Sequence, residues 1–301
     1  MTETLDIAAY SVAKLASDLG LSHPQLSRLT EKVDSSGYTP FPSIKKGKKR
    51  VFAAPNPALK RVQRALAKRL LRRLPVSDHV FSTPGRDVVR NAERHLAGGY
   101  RISLDLMDCY PSTSLSRIRN TLVGLGLDSN VAAVVARLAT YKGLLPQGSA
   151  CSGAILDLVL YSLDESLGRL AAESGCTYTR FVDDITFSGP VPLQKVGKQA
   201  RRLIRAYGYK IRDRKTLYSG RGELHEITGI ALDHTMHAPR GYVIRVEAHI
   251  RDYRQGGTSK EQSIRGMIQW VARLNKSEAS VLERQLRSAS YRRPNEILTS
   301  V

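Results

Sequence analysis

Apolar positions first recur at helical spacing between Val12 and Thr30, which reads as two short helices around a Gly20 to Pro24 turn, with Leu15, Leu19, Leu26 and Leu29 on one seam. Such a pair serves either as a helix-turn-helix or as a packing module. Ser35 to Ser43, rich in Ser, Gly and Pro, reads as a loop. Past Pro55 and Pro57 a second helical stripe, Leu59, Val62, Leu66 and Leu70, runs until Pro75 stops it. From Arg101 the pattern shortens to β-rich runs: RISLDL, TYTRF and ITFSG read as strands, with Asp183 and Asp184 at a hairpin tip between the last two. Ala154 to Ala172 reads as one helix with Ile155, Leu158, Val159, Leu163, Leu167 and Leu170 inward, and Val191 to Tyr207 as a basic amphipathic helix. Tyr209 to Leu217 and Leu224 to Leu232 read as further strands, and the chain from about Val246 as helical. The pattern predicts an α+β fold, an antiparallel sheet with helices on one face and helical modules at both ends.

Charge narrows the partners. The 301 residues carry 47 Lys and Arg against 27 Asp and Glu, a formal net charge of +20. Such an excess repels itself unless a polyanion offsets it, which puts nucleic acid first and an anionic membrane surface second. From Ser35 to Ser77 there is no acidic residue, while Lys45, Lys48, Arg50, Lys60, Arg61, Arg64, Lys68, Arg69, Arg72 and others crowd the same stretch. That face meets either phosphates or bulk water. The start, MTETLDIAAYSVAKL, has no basic region leading into an apolar run, and no later run is long enough to span a bilayer, so a cytoplasmic protein with no membrane partner is expected. Cys109, Cys151 and Cys176 lack metal-ligand spacing and read as reduced thiols. His225-Glu226 is not followed by a second His at zinc-protease spacing, and His234 and His237 have no acidic or thiol partners in a metal pattern. Trp270 reads as a core anchor of the C-terminal helices.

Three acids stand where strands predominate. Asp105 follows Ile102-Ser103-Leu104, and Asp183-Asp184 separates Phe181-Val182 from Ile185. Singly, each fits a turn or a cap. Together, neighbouring carboxylates repel unless a cation lies between them, and magnesium takes carboxylate, water and phosphate oxygens. Two such ions suit nucleotidyl transfer.

Five ordered stretches then resemble the successive motifs of reverse transcriptases: KKRVFAAPNPALKRVQ, LDLMDCYPS, LPQGSACSG, FVDDITFS and GYKIRDRKT, over roughly residues 35 to 235. The resemblance implies a right-hand polymerase, with fingers over 35–100, a palm over 101–235 and a short helical thumb over 236–301, behind an N-terminal helical module over 1–34. It implies that Asp105, Asp183 and Asp184 hold two catalytic Mg2+ ions, with Mn2+ a possible substitute. Tyr110 matches the aromatic that excludes a 2′-hydroxyl, Gln147 and Gly148 match the loop against the template, and Arg50 and Lys215 match cations near the deoxynucleoside triphosphate. Arg86 falls where the family approaches its template.

Two shorter matches narrow the family to retron enzymes. NAERH, from Asn91 to His95, resembles their Asn-Ala-x-x-His signature, and Ile227-Thr228-Gly229 resembles their Val-Thr-Gly element. Asn91, His95, Thr228 and Gly229 are therefore expected at the RNA. The resemblance implies a cognate noncoding RNA as template and primer, priming from a guanosine 2′-hydroxyl, a branched RNA–DNA product, a genomically linked effector protein and a role against phage. Other bacterial reverse transcriptases, of the diversity-generating or abortive-infection kind, and an RNA-binding scaffold with an idle site remain as alternatives. The chain departs from the pattern in carrying Phe181-Val182 for Tyr-Ala, Ser149-Ala150-Cys151-Ser152-Gly153 for the usual proline-bearing run, and Ile227 for Val.

Overall fold

The computed structural model describes residues 6–290 except 8, 46 and 47, with side chains except those of 43–51 and 290. The N-terminal pair forms as expected. Helix α1 (Val12–Asp18) is capped by Ser11, and α2 (His23–Lys32) opens on a capping box in which Ser22 and Gln25 satisfy each other's backbone donors. Leu15, Leu19 and Leu26 are buried in the main core, so these helices act as packing elements of that core.

The stretch expected as a loop over Ser35 to Ser43 is a correction. From Tyr38 the chain forms strand β1 (Tyr38–Lys45), paired antiparallel with β2 (Lys48–Pro55), even though Pro40 and Pro42 lack an N–H. Ala53, opposite Pro40, donates its N–H to the Gln147 carbonyl 3.2 Å away, so this pair exchanges no ladder bond. Pro42, two residues on, points its nitrogen the same way, and neither proline costs the ribbon a hydrogen bond. Helix α3 (Pro57–Arg69) follows, capped by the Asn56 side chain, with Leu59, Val62 and Leu66 buried and Lys60, Arg61, Arg64 and Lys68 exposed.

Four antiparallel partners surround β3 (Tyr100–Met107) directly or in turn. The sheet runs β4 (Thr177–Phe181), β5 (Asp184–Gly189), β3, β6 (Lys210–Ile211), with β7 (Leu217–Ser219) also on β3. The outer edge of β4 is closed by residues 79–81, whose His79 carbonyl and Phe81 N–H bond the Arg180 backbone at 2.8 Å each. On one face Ile102, Leu104, Leu106, Tyr178, Ile185 and Phe187 are buried under helices, the expected layer.

Three elements there differ from expectation. Ala154 to Ala172 is not one helix but α7 (Ser152–Val159) and α8 (Tyr161–Glu173), broken at Leu160, after α5 (Leu115–Gly124) and α6 (Ser129–Ala139). A straight helix would hold Asp157 and Asp164 about 10 Å apart along its axis. The break lets both carboxylates reach one guanidinium, that of Arg180. Similarly, Tyr209 to Leu217 is interrupted by a 3-10 turn over Asp213–Lys215 that carries Arg212 and Lys215 towards Asp105. Helix α9 (Gln194–Ala206) begins three residues later than Val191 and covers Ile102 through Gly197, where a side chain would not fit.

The opposite face is partly roofed by helix α4 (Val88–Glu93) and a small sheet of β8 (His225–Ile227), β9 (Ile230–Leu232) and β10 (Met236–His237). The expected single strand over Leu224 to Leu232 is a hairpin, because Thr228 (φ 49°) and Gly229 (φ 80°) both take the positive φ that a two-residue primed turn needs. Helices α10 (Arg240–Arg254), α11 (Glu261–Leu274) and α12 (Lys276–Ser290) form their own core around Val246, Ile250, Ile264 and Leu282, starting before the expected Val246. Trp270 packs instead beside Val89, Ala92, Ile230 and Leu232, anchoring these helices to the roof. The three cysteines are free, and among the described residues no helix is long and apolar enough to cross a membrane.

Candidate active site

Side chains alternate across β3, so Ser103 and Asp105 point away from the helices that Ile102 and Leu104 meet. Asp105 pairs across the ladder with Asp184, which in turn pairs with Phe181. The hairpin between β4 and β5 is tight: Val182 sits at φ 58°, and the Asp183 carbonyl accepts from the Leu106 N–H at 2.9 Å. Asp105 and Asp184 line one cleft with Phe181, Lys215, Glu226 and Thr228.

Acids and bases crowd the cleft together, Asp105, Asp184 and Glu226 beside Arg214 and Lys215. Asp184 opens to solvent above closely packed atoms. That crowding, then the charges of Asp183 and Asp105, push its carboxyl up to about 6, with Lys215 pulling the other way. Asp105 is 3 % exposed. Its Oδ2 meets the Lys215 ammonium. Its Oδ1 faces Arg212 Nε at 3.0 Å without the alignment of a hydrogen bond, and so is a buried carboxylate oxygen with no hydrogen-bond donor. Among the described residues no three His, Cys, Asp or Glu side chains form a closed metal cage, and Asp105 meets two cations instead.

Under the roof lie the signature residues. His95 is fully buried, with Nδ1 2.8 Å from Ser188 Oγ and Nε2 2.7 Å from Thr179 Oγ1, so it bridges β5 and β4, the two strands of the aspartate hairpin. Burial, then the charges of Arg101, His225 and Arg94, hold its imidazole down at about 3, and hence neutral. Asn91, also buried, aims Nδ2 at Thr228 Oγ1 across 3.4 Å, so the two signature segments touch each other. Buried Arg101 donates to the carbonyls of His95 and Asp233, and His225 Nε2 lies 2.7 Å from Ser103 Oγ.

Residues 39–229 match the family described as "Reverse transcriptase (RNA-dependent DNA polymerase)". The chain is 31% identical to the retron Mx65 reverse transcriptase of Myxococcus xanthus over 88% of its own length and 67% of that protein's. It is 26% identical to the retron Ec86 reverse transcriptase of Escherichia coli, over 74% of this chain and 71% of that one. This chain belongs to the retron reverse transcriptases. It spans 63% of another relative, the retron Mx162 reverse transcriptase of Myxococcus xanthus, at 27% identity over 87% of its own length. The fold of this reverse transcriptase is shared with solved telomerases: that of Candida albicans with a TWJ fragment of telomeric RNA (TM-score 0.51, 11% identity, 82% of this chain and 56% of that one). The telomerase of Candida tropicalis without RNA gives 0.53 at 12% identity, over 89% and 63%.

The other expected positions of this reverse transcriptase distribute unevenly. Half-buried Tyr110 follows β3 in a turn; burial first, then Cys109 and the charge of Asp183, raise its hydroxyl, which places it in electrostatic reach of that carboxylate. Gln147 and Gly148 dock on β2, since Gln147 accepts from Ala53 and Gly148 (φ 121°) leaves no room for a Cβ beside the Ala53 carbonyl. Arg50 lies on β2, but its side chain is outside the described residues. Lys215 is in the cleft, on Asp105. Arg86 spends its guanidinium on the Asp78 and Val80 carbonyls and the Asp78 carboxylate. Gly229 is exposed on the turn after Thr228, whereas Asn91 and His95 present no surface to RNA in this conformation.

Arg180 and Arg212 were not singled out from the sequence. A signal for the first was present: Arg180 occupies an inward phase of TYTRF, and Asp157 and Asp164 interrupt the apolar face of Ala154 to Ala172. Charges in the buried phase of two neighbouring elements imply pairing.

Proposed function

We propose that this chain copies a cognate structured noncoding RNA into single-stranded DNA, leaving a branched RNA–DNA hybrid, and that it does so in the cytoplasm beside a linked effector in defence against phage. The observation that carries the reading is the cross-strand pairing of Asp105 with Asp184 at the hairpin of Asp183, in a family of RNA-directed DNA polymerases. The donor set fits Mg2+: three carboxylates, one with a buried oxygen that lacks a hydrogen-bond donor and another raised by its neighbours' charge. Asp105, Asp183 and Asp184 would hold the ions, which when bound would make the primer's hydroxyl easier to deprotonate and neutralise the leaving pyrophosphate. Lys215 and Arg212 neutralise Asp105 and hold it ready; Lys215, half-exposed, is free to turn towards the triphosphate of an incoming deoxynucleotide. Tyr110 bounds the sugar, and the Gln147-Gly148 loop, rigid against β2, carries the template.

The deciding experiment is sequencing of the nucleic acid that copurifies with the protein. One DNA of defined length, joined covalently to one RNA, is expected. Heterogeneous DNA with no RNA branch would instead support one of the other bacterial reverse transcriptases.

Helix α9 bears on how the RNA is held. No acid lies between Pro190 and Arg212, and Lys195, Lys198, Arg202 and Arg205 share one exposed face. This helix packs on the Ile102 face of the sheet, the reverse of the face that presents Asp105. A duplex in the cleft is therefore out of its reach, and the helix fits a second stretch of the RNA wrapped behind the palm. Changing these four residues to Glu is expected to weaken binding of the full RNA more than tenfold and to lower the slope of log K against log salt by about 3 to 4. Extension of a short primed template should stay within about twofold. An unchanged salt slope would count against this contact.

A further inference from the structure

We propose that Arg180 is a positioning residue for nucleotidyl transfer, setting the backbone of the turn that carries Asp183 and Asp184. The proposal rests on the polymerase reading of that turn. Arg180 is fully buried, on the helix face of β4, opposite in direction to Phe181 and the carboxylates. Its Nε and Nη2 bond the two oxygens of Asp164 at 2.8 and 2.7 Å, and Nη1 reaches Asp157 Oδ1 at 3.2 Å. Tyr178 adds its hydroxyl to Asp164 at 2.7 Å, and Ser82 adds its own to Asp157 at 3.3 Å. The guanidinium is thereby fixed by α7, α8 and, through Ser82, by the segment entering α4.

Its remaining reach is spent on the catalytic hairpin. Nη1 also donates to the Val182 carbonyl at 2.8 Å. Val182 has φ 58°, a left-handed conformation that a β-branched residue strongly disfavours and keeps only when its surroundings impose it. The two residues that follow it are Asp183 and Asp184. Two bonds impose the turn from opposite sides: Arg180 on the Val182 carbonyl, and the Leu106 N–H of β3 on the Asp183 carbonyl. The second comes from the backbone of the neighbouring strand β3, whereas the first depends on one side chain. A planar fork with five donors can serve two carboxylates and a carbonyl together, which an ammonium cannot. A misplacement of the carboxylates by even an ångström lowers turnover sharply, because the reaction needs the metal, primer end and phosphate in line.

Arg180→Lys keeps the buried charge and removes the fork. Purified R180K is expected to bind RNA as the parent does and to show kcat, corrected by active-site titration, more than tenfold lower. KM for deoxynucleotide should move less than threefold, and the Mg2+ concentration for half-maximal rate should rise several-fold. Adding Val182→Gly to R180K is expected to recover at least threefold of the lost kcat, since glycine accepts φ 58° without the strain that the carbonyl bond offsets in valine. If R180K is insoluble, R180K with Asp157→Asn leaves one ammonium facing one carboxylate and carries the same expectations. A parental kcat and Mg2+ requirement, or a loss confined to the active fraction with no recovery from Val182→Gly, would overturn the positioning role. Absence of DNA synthesis in the parent protein would overturn the polymerase reading instead.

Discussion

Replacing Asp183 and Asp184 together with Asn is expected to reduce DNA synthesis by about a thousandfold or more and to leave RNA affinity within about threefold. Asn matches Asp in volume and can occupy the same hairpin, whose shape rests on backbone bonds from Leu106 and on Arg180. What the double change removes is charge, the charge that would hold metal ions and that, on Asp183, helps raise the carboxyl of Asp184. On the proposed reading RNA is held by cations elsewhere, on α3 and α9, and its binding is expected to lose nothing when two acids go. Asp105 is a poorer choice for this experiment, since Asp105→Asn would also strip Lys215 and Arg212 of their partner, mixing catalysis with stability. Primer extension with Mg2+ and with Mn2+, beside a filter-binding titration, measures both quantities. Synthesis above about one per cent of the parent would sink the assignment of the pair as metal ligands.

The hairpin and its acids were legible because a period of two, bounded by turn residues, identifies strands, and because five motifs occur in order. Their convergence with Asp105 was legible only through the resemblance, since the register of β3 on β5 joins residues 79 positions apart. Several readings failed for physical reasons that local pattern does not carry. Pro40 and Pro42 marked a loop, but a ribbon tolerates proline wherever the missing N–H points away from its partner strand. Ala154 to Ala172 kept a helical stripe across Leu160, and only the shared contact with Arg180 requires the break. Asn91 and His95 are expected at the RNA from the resemblance of NAERH to the retron signature. The structure uses them inside, His95 across the two strands of the aspartate hairpin and Asn91 against the Thr228 turn, so the signature acts on the site through packing.

That internal role makes the protein acid-sensitive in a window set by histidine. His95 and His225 are held at about 3 and about 4, each first by burial and next by the Arg101 charge, against about 6.5 in the unfolded chain. Above pH 6.5 both are neutral in either state and their contribution to stability is fully present. Below it the unfolded chain takes up protons that the folded one refuses, so stability falls as pH drops towards 4, at up to about 1.4 kcal/mol per pH unit for each group. Between pH 6.5 and 4.5 the two imidazoles are expected to contribute a loss on the order of 3 to 5 kcal/mol, a large part of what holds a domain together. The Ser188 and Thr179 hydroxyls can accept from either nitrogen, so the cost is that of burying a charge, and next of setting it beside Arg101, rather than of a lost hydrogen bond. Carboxylates whose affinity for protons is lowered by folding, such as Asp87 and Asp18, begin to matter only below about pH 4, whereas the Asp184 carboxyl, raised to about 6, takes up its proton inside the window and offsets part of the imidazoles' loss. Urea unfolding at pH 7, 6, 5 and 4.5 measures the slope. Gln at both positions can donate and accept like a neutral imidazole, so His95→Gln with His225→Gln should lower stability at pH 7 and flatten the profile. A parental profile that is already flat, or a slope that survives the double change, would show that these buried rings do not control acid unfolding of the aspartate hairpin's supports.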